Sequence, residues 1–283
     1  MNSHLPDRIE QLSCGSIIQH GKYNDRIYLL KAGDNAAKTL PVDLITMATR
    51  QNYGKVFVKV RSIDAENFHR AGYMKEASIP CLYGGSETGI FMGYYLNEQR
   101  VLEPDADILD DILHLAYKKS GEPLVPVAAD QFVLKRCEER DAEEMADIYR
   151  TVFATYPFPI HDPQYLIDTM RSHVVYFGVE RNGHLIALSS AEIDKSALNA
   201  EMTDFATLPH WQGNNLSTHL LFLMEKELKR KGIRTAYTIA RSLSPGMNIA
   251  FSKSGYTYGG RLNNNTNIAG KIESMNVWYK TVS

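Results

Sequence analysis

The chain has 283 residues, 44% hydrophobic and 23% charged, enough to bury a sizeable core and to form two domains. A formal net charge of -2 excludes the basic footprint of a nucleic-acid or anionic-membrane partner, and no apolar run is long enough to span a bilayer. Cys14, Cys81 and Cys137 are odd in number and widely separated, which fits neither a disulfide framework nor a zinc pattern; with no signal peptide recognisable, a soluble cytoplasmic protein without metal is expected.

In chain order, Ser16 to His20 and Arg26 to Leu30 read as two short strands around a turn at Gly21 to Asp25. Pro41 to Gln51 reads as a helix with Leu44, Ile45, Met47 and Ala48 clustered, and Val56 to Val60 as the strand after it. A helix carrying Asn67 to Tyr73, a strand pair at Ala77 to Leu82 and Gly89 to Tyr95, and a helix at Asp105 to Lys119 follow. Ser120 to Pro126 has the composition of a linker, so the expected domains are 1–125 and 131–283.

The second domain begins with a strand at Phe132 to Lys135 and a helix at Asp141 to Ala154 whose Met145, Ile148, Tyr149 and Val152 point inward. The segment Thr155 to Pro163 is an aromatic and proline-rich loop. Val174 to Glu180 and His184 to Glu192 form a hairpin over Asn182-Gly183. The stretch from Ala200 to Leu228 then organises the domain: Ala200 to Thr207 alternates like a strand, and Leu216, Leu220, Leu221, Met224 and Leu228 line one helix face. A strand feeding a short turn into a helix leaves the helix's first amides unpartnered at the positive end of its dipole, so an anion is expected across Gln212 to Ser217. Beyond Gly232 come a strand at Thr235 to Ala240, a short helix at Gly246 to Lys253, and a strand pair at Tyr256 to Leu262 and Ser274 to Tyr279.

Gln212-Gly213-Asn214-Asn215-Leu216-Ser217 resembles the acyl-CoA signature of the GNAT superfamily of N-acetyltransferases, Q/R-x-x-G-x-G/A. Asn215 stands where glycine is usual and Ser217 where glycine or alanine is; asparagine tolerates positive φ and serine is small, so neither departure removes the loop. Asn248 to Tyr256 is similar to the superfamily's closing element, and the order of elements over 131–283 matches too. The resemblance implies a mixed α/β GNAT fold and acetyl-CoA as the acetyl donor. Aligning Gly72-Tyr73 with Gly255-Tyr256 places Phe68 on Phe251 and Val56 to Val60 on Thr235 to Ala240. The first domain thus resembles the C-terminal half of a second, degenerate GNAT fold, with no counterpart of Gln212 to Ser217 and a structural or covering role.

Four stretches take the resemblance to one family: Gly15 to Asn24, Asn199 to Thr207, Thr235 to Arg241 and Gly270 to Tyr279 look like the β-lysine N6-acetyltransferases. That resemblance implies acetylation of a small-molecule amine, giving the compatible solute N6-acetyl-β-lysine, alongside a lysine 2,3-aminomutase that supplies β-lysine. Monomer and homodimer both stay open.

A primary amine with a pKa near 10.4 is neutral in roughly one molecule in a few thousand at pH 7, so its attack on a thioester needs a base or a desolvating pocket. Glu201 lies on the central strand where lysine-acetylating GNAT enzymes carry a base glutamate. Asp204, three residues on, is a second acid, on the opposite face unless a bulge intervenes. The backbone amide of Phe205 or Ala206 is the expected oxyanion donor, with Thr207 continuing the coenzyme side. Phe251 occupies the position of the superfamily's proton-donating tyrosine, so water, Ser252 or Tyr256 substitutes, or the thiolate leaves unassisted. Asn248 is placed to hydrogen-bond the pantetheine arm or to cap its helix, and Tyr156, Phe158, His161 and Asp162 to wall the substrate. Arg241 or Lys271 is expected to anchor the substrate carboxylate. The readings that compete are an acetyltransferase for another small amine or a polyamine, a coenzyme-binding regulatory module, and a non-enzymatic scaffold.

Overall fold

The computed structural model describes residues 7–33, 38–123, 131–268 and 270–282. Its N-terminal half holds the strands Arg8–Gln11 (β1), Ile17–Gly21 (β2), Arg26–Lys31 (β3), Lys55–Arg61 (β4), Met74–Tyr83 (β5) and Glu87–Tyr95 (β6), with helices Leu40–Arg50 (α1), Ser62–Arg70 (α2) and Ala106–Lys118 (α3). Then follow Val133–Arg136 (β7), Ala142–Val152 (α4), Pro163–Ser172 (α5), Val174–Arg181 (β8), His184–Asp194 (β9), Asn199–Thr207 (β10), Leu216–Arg230 (α6), Thr235–Arg241 (β11), Pro245–Lys253 (α7), Thr257–Ile268 (β12) and Lys271–Thr281 (β13). Of the linker expected at Ser120 to Pro126, residues 124–126 lie outside the described residues.

α5 is not among the expected elements and begins at Pro163, the last residue of the expected loop. Proline reads there as a loop signal, but Pro163 sits in the first turn, where its missing N–H costs nothing, and the Asp162 carboxylate accepts from Gln164 N at 3.0 Å to cap it.

All thirteen strands form one mixed sheet, ordered β1-β2-β3-β4-β6-β5-β12-β13-β11-β10-β9-β8-β7. The order repeats itself about the β5–β12 seam, so that β3-α1-β4-α2-β5-β6 has the connectivity of β10-α6-β11-α7-β12-β13. The repeat therefore runs further than the aligned motifs and includes α1, the topological counterpart of α6. At the seam Gly260 pairs with Ala77, and a Cβ there would lie 2.3 Å from Glu76 O, so only glycine permits the approach.

The sheet is coiled into a trough. β4 and β11 stand five strand steps apart, roughly 24 Å if flat, yet Lys59 Nζ of β4 lies 2.8 Å from Tyr237 Oη of β11. Tyr28, Phe57, Ile79 and Phe91 from one side of the seam and Tyr237, Leu262, Met275 and Val277 from the other share one core inside this trough. α6 buries Leu216, Leu220, Leu221, Met224 and Leu228 on the outer face of β8 to β11, while α4 and α5 cover the inner face of β8 and β9.

Candidate active site

The site is built on an irregularity in β10. Its ladder with β9 runs from Asn199↔Asp194 to Thr203↔Ser190 and resumes at Ala206↔Leu188, one residue out of step. Asp204 takes up the extra residue at φ +54°, a region that aspartate tolerates better than most side chains. Glu201 and Asp204 would face opposite ways on a regular strand; the bulge turns both to the inner face. There the Asp204 carboxylate accepts from Ser190 Oγ at 2.6 Å and from Tyr156 Oη at 2.5 Å. Ser190 is two residues from Glu192, the direct register partner of Glu201, so three carboxylates share one face.

Burial raises all three. Glu192 is pushed up to about 8 by burial, with the charges of Glu201 and Asp204 adding and Lys59 opposing. Burial also raises Glu201, against the nearby Lys59 ammonium and a hydrogen bond from Tyr237. For Asp204 burial is opposed by the hydrogen bonds from Ser190, Tyr156 and Thr203. Lys59 is lowered by burial, and the carboxylates around it hold it up. The arrangement is a desolvated acidic cluster with one lysine against it, suited to receiving an ammonium group and removing its proton.

On the other side, β10 and β11 are paired only from Asn199↔Thr235 to Glu201↔Tyr237, and then diverge. Beyond Glu201 the exposed edge of β10 leads to the loop before α6. Gly213 has φ +83° with nothing within 4 Å of the position a Cβ would take, and Asn215 has φ +57° with no capping hydrogen bond from its side chain. The first turn closes with Thr218 N on Asn215 O at 3.0 Å, and the amides of Gly213, Asn215, Leu216 and Ser217 donate to no partner among the described residues. Asn214 folds its side chain back onto Trp211 O at 3.0 Å, leaving the amides clear. Open amides at the head of a fifteen-residue helix, reached along a free strand edge, fit the phosphates and extended arm of an acyl-CoA.

The acetyltransferase (GNAT) family profile matches residues 142–252, from α4 to α7. Over 266 residues the chain is 41% identical to a β-lysine N(6)-acetyltransferase of Methanococcus maripaludis, covering 94% of this chain and 96% of that protein. The chain belongs to the GNAT family of acetyltransferases. It is also 31% identical to a β-lysine N(6)-acetyltransferase of Methanosarcina mazei over 259 residues, 84% of this chain and 94% of the relative, and 31% identical to the N-acetyltransferase YodP of Bacillus subtilis over 268 residues, 94% and 95%.

In this acetyl-CoA-dependent N-acetyltransferase several expected site residues turn out to be committed elsewhere. The buried Asn248 amide donates to Arg241 O and Ser244 O at 3.0 and 2.8 Å and accepts from Asn276 Nδ2 and Trp278 Nε1 at 2.8 and 2.9 Å, which leaves it no capacity for a pantetheine arm. Arg241 is held in a two-point pair with Glu273, both contacts 2.9 Å, and Lys271 pairs with Asp105 at 3.0 Å. Asp162 caps α5 and Phe158 packs against the core under α4 and α5, while His161 offers only its carbonyl to Arg150, at 2.8 Å, and keeps a buried Nε2 with no hydrogen-bond partner among the described residues. Of that loop Tyr156 alone meets a site carboxylate among the described hydrogen bonds. Phe251 is fully buried, edge-on to Phe205 and Tyr256 with centroids 5.6 and 5.0 Å away, and Ala206 faces the α4 and α5 core. Thr207 O lies 3.5 Å from Gln212 Nε2, which ties the strand's end to the loop.

Glu192, Lys59 and Tyr237 were missed by sequence reasoning. Two of them carry a weak signal: Glu192 follows the apolar and small residues Leu185 to Ala191 in β9, and Lys59 stands between Val58 and Val60 in β4. A lone charge in a strand buried on both faces has to meet a partner or a ligand.

Proposed function

We propose that this enzyme transfers the acetyl group of acetyl-CoA to the N6 amine of β-lysine, giving N6-acetyl-β-lysine. The observation that carries the reading is the 41% identity to a β-lysine N(6)-acetyltransferase over both halves of the trough, including β4, which brings Lys59 to the acidic cluster. In this reading the amides from Gly213 to Ser217 hold the coenzyme phosphates, and the open edge of β10 beyond Glu201 orients the thioester, with the Phe205 or Ala206 amide facing the developing oxyanion.

Glu201 takes the proton of the N6 ammonium, and Glu192 and Asp204 keep that ammonium in the cluster until it is lost. The neutral amine then attacks the thioester carbonyl, the C–S bond breaks as the tetrahedral intermediate collapses, and the second amine proton passes to water or to the departing thiolate as the amide forms. With Phe251 at the superfamily's tyrosine position, the thiolate leaves without a tyrosine donor there; a thiol pKa near 8.5 makes this a modest barrier. Arg241, Asn248 and Asp162 drop out of the proposed ligand contacts, while His161 keeps a free imidazole nitrogen for the substrate wall. The product's role as a compatible solute, supply of β-lysine by a lysine 2,3-aminomutase and residence in the cytoplasm belong to the same reading. Thiol release measured against a panel of diamines and diamino acids, with the product placed by NMR, tests it. Acetylation at N3, or equal kcat/KM for β-lysine, α-lysine and cadaverine, would remove β-lysine as the substrate.

A further inference from the structure

β3 and β4 repeat the divergence of β10 and β11: they are paired from Arg26↔Lys55 to Leu29↔Val58 and separate beyond. Between their separated ends lies a cavity of about 720 Å³, walled by Leu30, Lys31, Lys59 and Arg61 and closed by Tyr83 and Asn199. Its described lining carries four cations, Lys31, Lys38, Lys59 and Arg61, against three carboxylates, Asp64, Glu87 and Asp194. Arg61 is paired with Asp64 at 2.9 Å, which leaves three lysines facing Glu87 and Asp194.

Lys59 links this cavity to the reaction centre. It belongs to the wall, its Nζ lies 2.8 Å from Tyr237 Oη, and Tyr237 hydrogen-bonds Glu201. Lys59 thus stands between the cavity and the carboxylates of Glu201 and Glu192, which lie behind the wall, an order complementary to a molecule with a carboxylate at one end and an ammonium at the other.

We propose that this cavity is the acceptor site, in which Lys59 holds the carboxylate of a diamino acid while its terminal ammonium reaches Glu201. The assignment rests on the function proposed above and gives the N-terminal half a direct role in substrate choice. Lys59 supplies the cation that Arg241 and Lys271, both already paired with carboxylates, do not.

Steady-state kinetics on β-lysine and cadaverine, which lacks the carboxylate, test this in the wild type, Lys59→Met and Ser86→Trp. Ser86 is an exposed residue of the cavity lining, so its replacement obstructs the cavity without entering the core. Lys59→Met should lower kcat/KM for β-lysine about 10- to 100-fold more than for cadaverine, the excess appearing mainly in KM, because any change in Glu201 is common to both amines. Ser86→Trp should raise KM for β-lysine with acetyl-CoA affinity unchanged. Equal losses on both amines in Lys59→Met would make Lys59 a group acting through Glu201, and an unchanged KM in Ser86→Trp would empty the cavity of substrate; either overturns the assignment alone. A wild-type enzyme inactive on β-lysine would overturn the function proposed above and this acceptor with it.

Discussion

Glu192 and Glu201 stand directly opposite each other across the β9–β10 ladder, on the inner face of the trough and within reach of Lys59. Like charges directly opposed in a sheet are unfavourable, so burial and repulsion together keep a proton on the pair near neutral pH. Burial raises Glu192 from 4.5 to about 8. The folded chain therefore binds more protons than the unfolded one across that window, and this group's stabilisation is full below pH 4.5 and lost as pH rises through 8. Glu192→Gln should raise Tm relative to wild type at pH 8.5 more than at pH 5. A difference independent of pH would mean that the carboxylate is already ionised in the fold.

In the proposed mechanism the base is Glu201. Glu201→Gln should retain acetyl-CoA affinity and lower kcat by about 100-fold or more at pH 7, the scale of a general base. The deficit should narrow as pH rises, because more of the amine arrives neutral. A loss of the same size at every pH would assign Glu201 to positioning.

At the loop proposed to hold the coenzyme, Gly213→Val would combine a strained φ of +83° with a branched side chain in the open space beside the loop. Calorimetry should show one acetyl-CoA site per chain in the wild type and an affinity at least about tenfold weaker in the variant. Unchanged affinity would move the phosphates off this loop, and two sites would give the N-terminal half a coenzyme site of its own.

Tyr156 and Asp204 make the test of the bulge. Tyr156→Phe removes one of the hydrogen bonds that hold the Asp204 charge against burial, so Asp204 should titrate higher. Urea unfolding at pH 7 should show a loss of about 1–3 kcal/mol, the range for a hydrogen bond to a charged group. No loss would mean that Asp204 is already protonated there.

Asn248→Ala leaves Asn276 Nδ2 and Trp278 Nε1 without their buried acceptor. The expected cost is about 2–5 kcal/mol in unfolding free energy, with acetyl-CoA affinity preserved in the folded fraction. A variant of wild-type stability that binds acetyl-CoA less tightly would return Asn248 to the coenzyme arm.

The local order of elements was legible because it is written in periodicity: the alternation over Ala200 to Thr207 and the apolar face of α6 are visible before any folding is known. So were the unpartnered amides from Gly213 to Ser217, which follow from a strand, a turn and a helix in sequence. The commitments of Arg241 and Asn248 were not, since Glu273 lies 32 residues from Arg241 and Trp278 lies 30 from Asn248. Nothing local in the chain announces such partners.

By itself the sequence determined the family, the strand-turn-helix order around Gly213 to Ser217 and the identity of Glu201 as an acid on the central strand, each carried by residues close together within one motif. Only the tertiary structure decided that Asp204 joins Glu201 on one face, because the extra residue is defined by β10's register against β9. Only the tertiary structure brought Lys59 to Tyr237, a contact that spans 178 residues and exists because the coiling of the shared sheet turns β4 over β11. Side-chain periodicity records which face of a strand is buried; it does not record how far the sheet bends or what stands opposite.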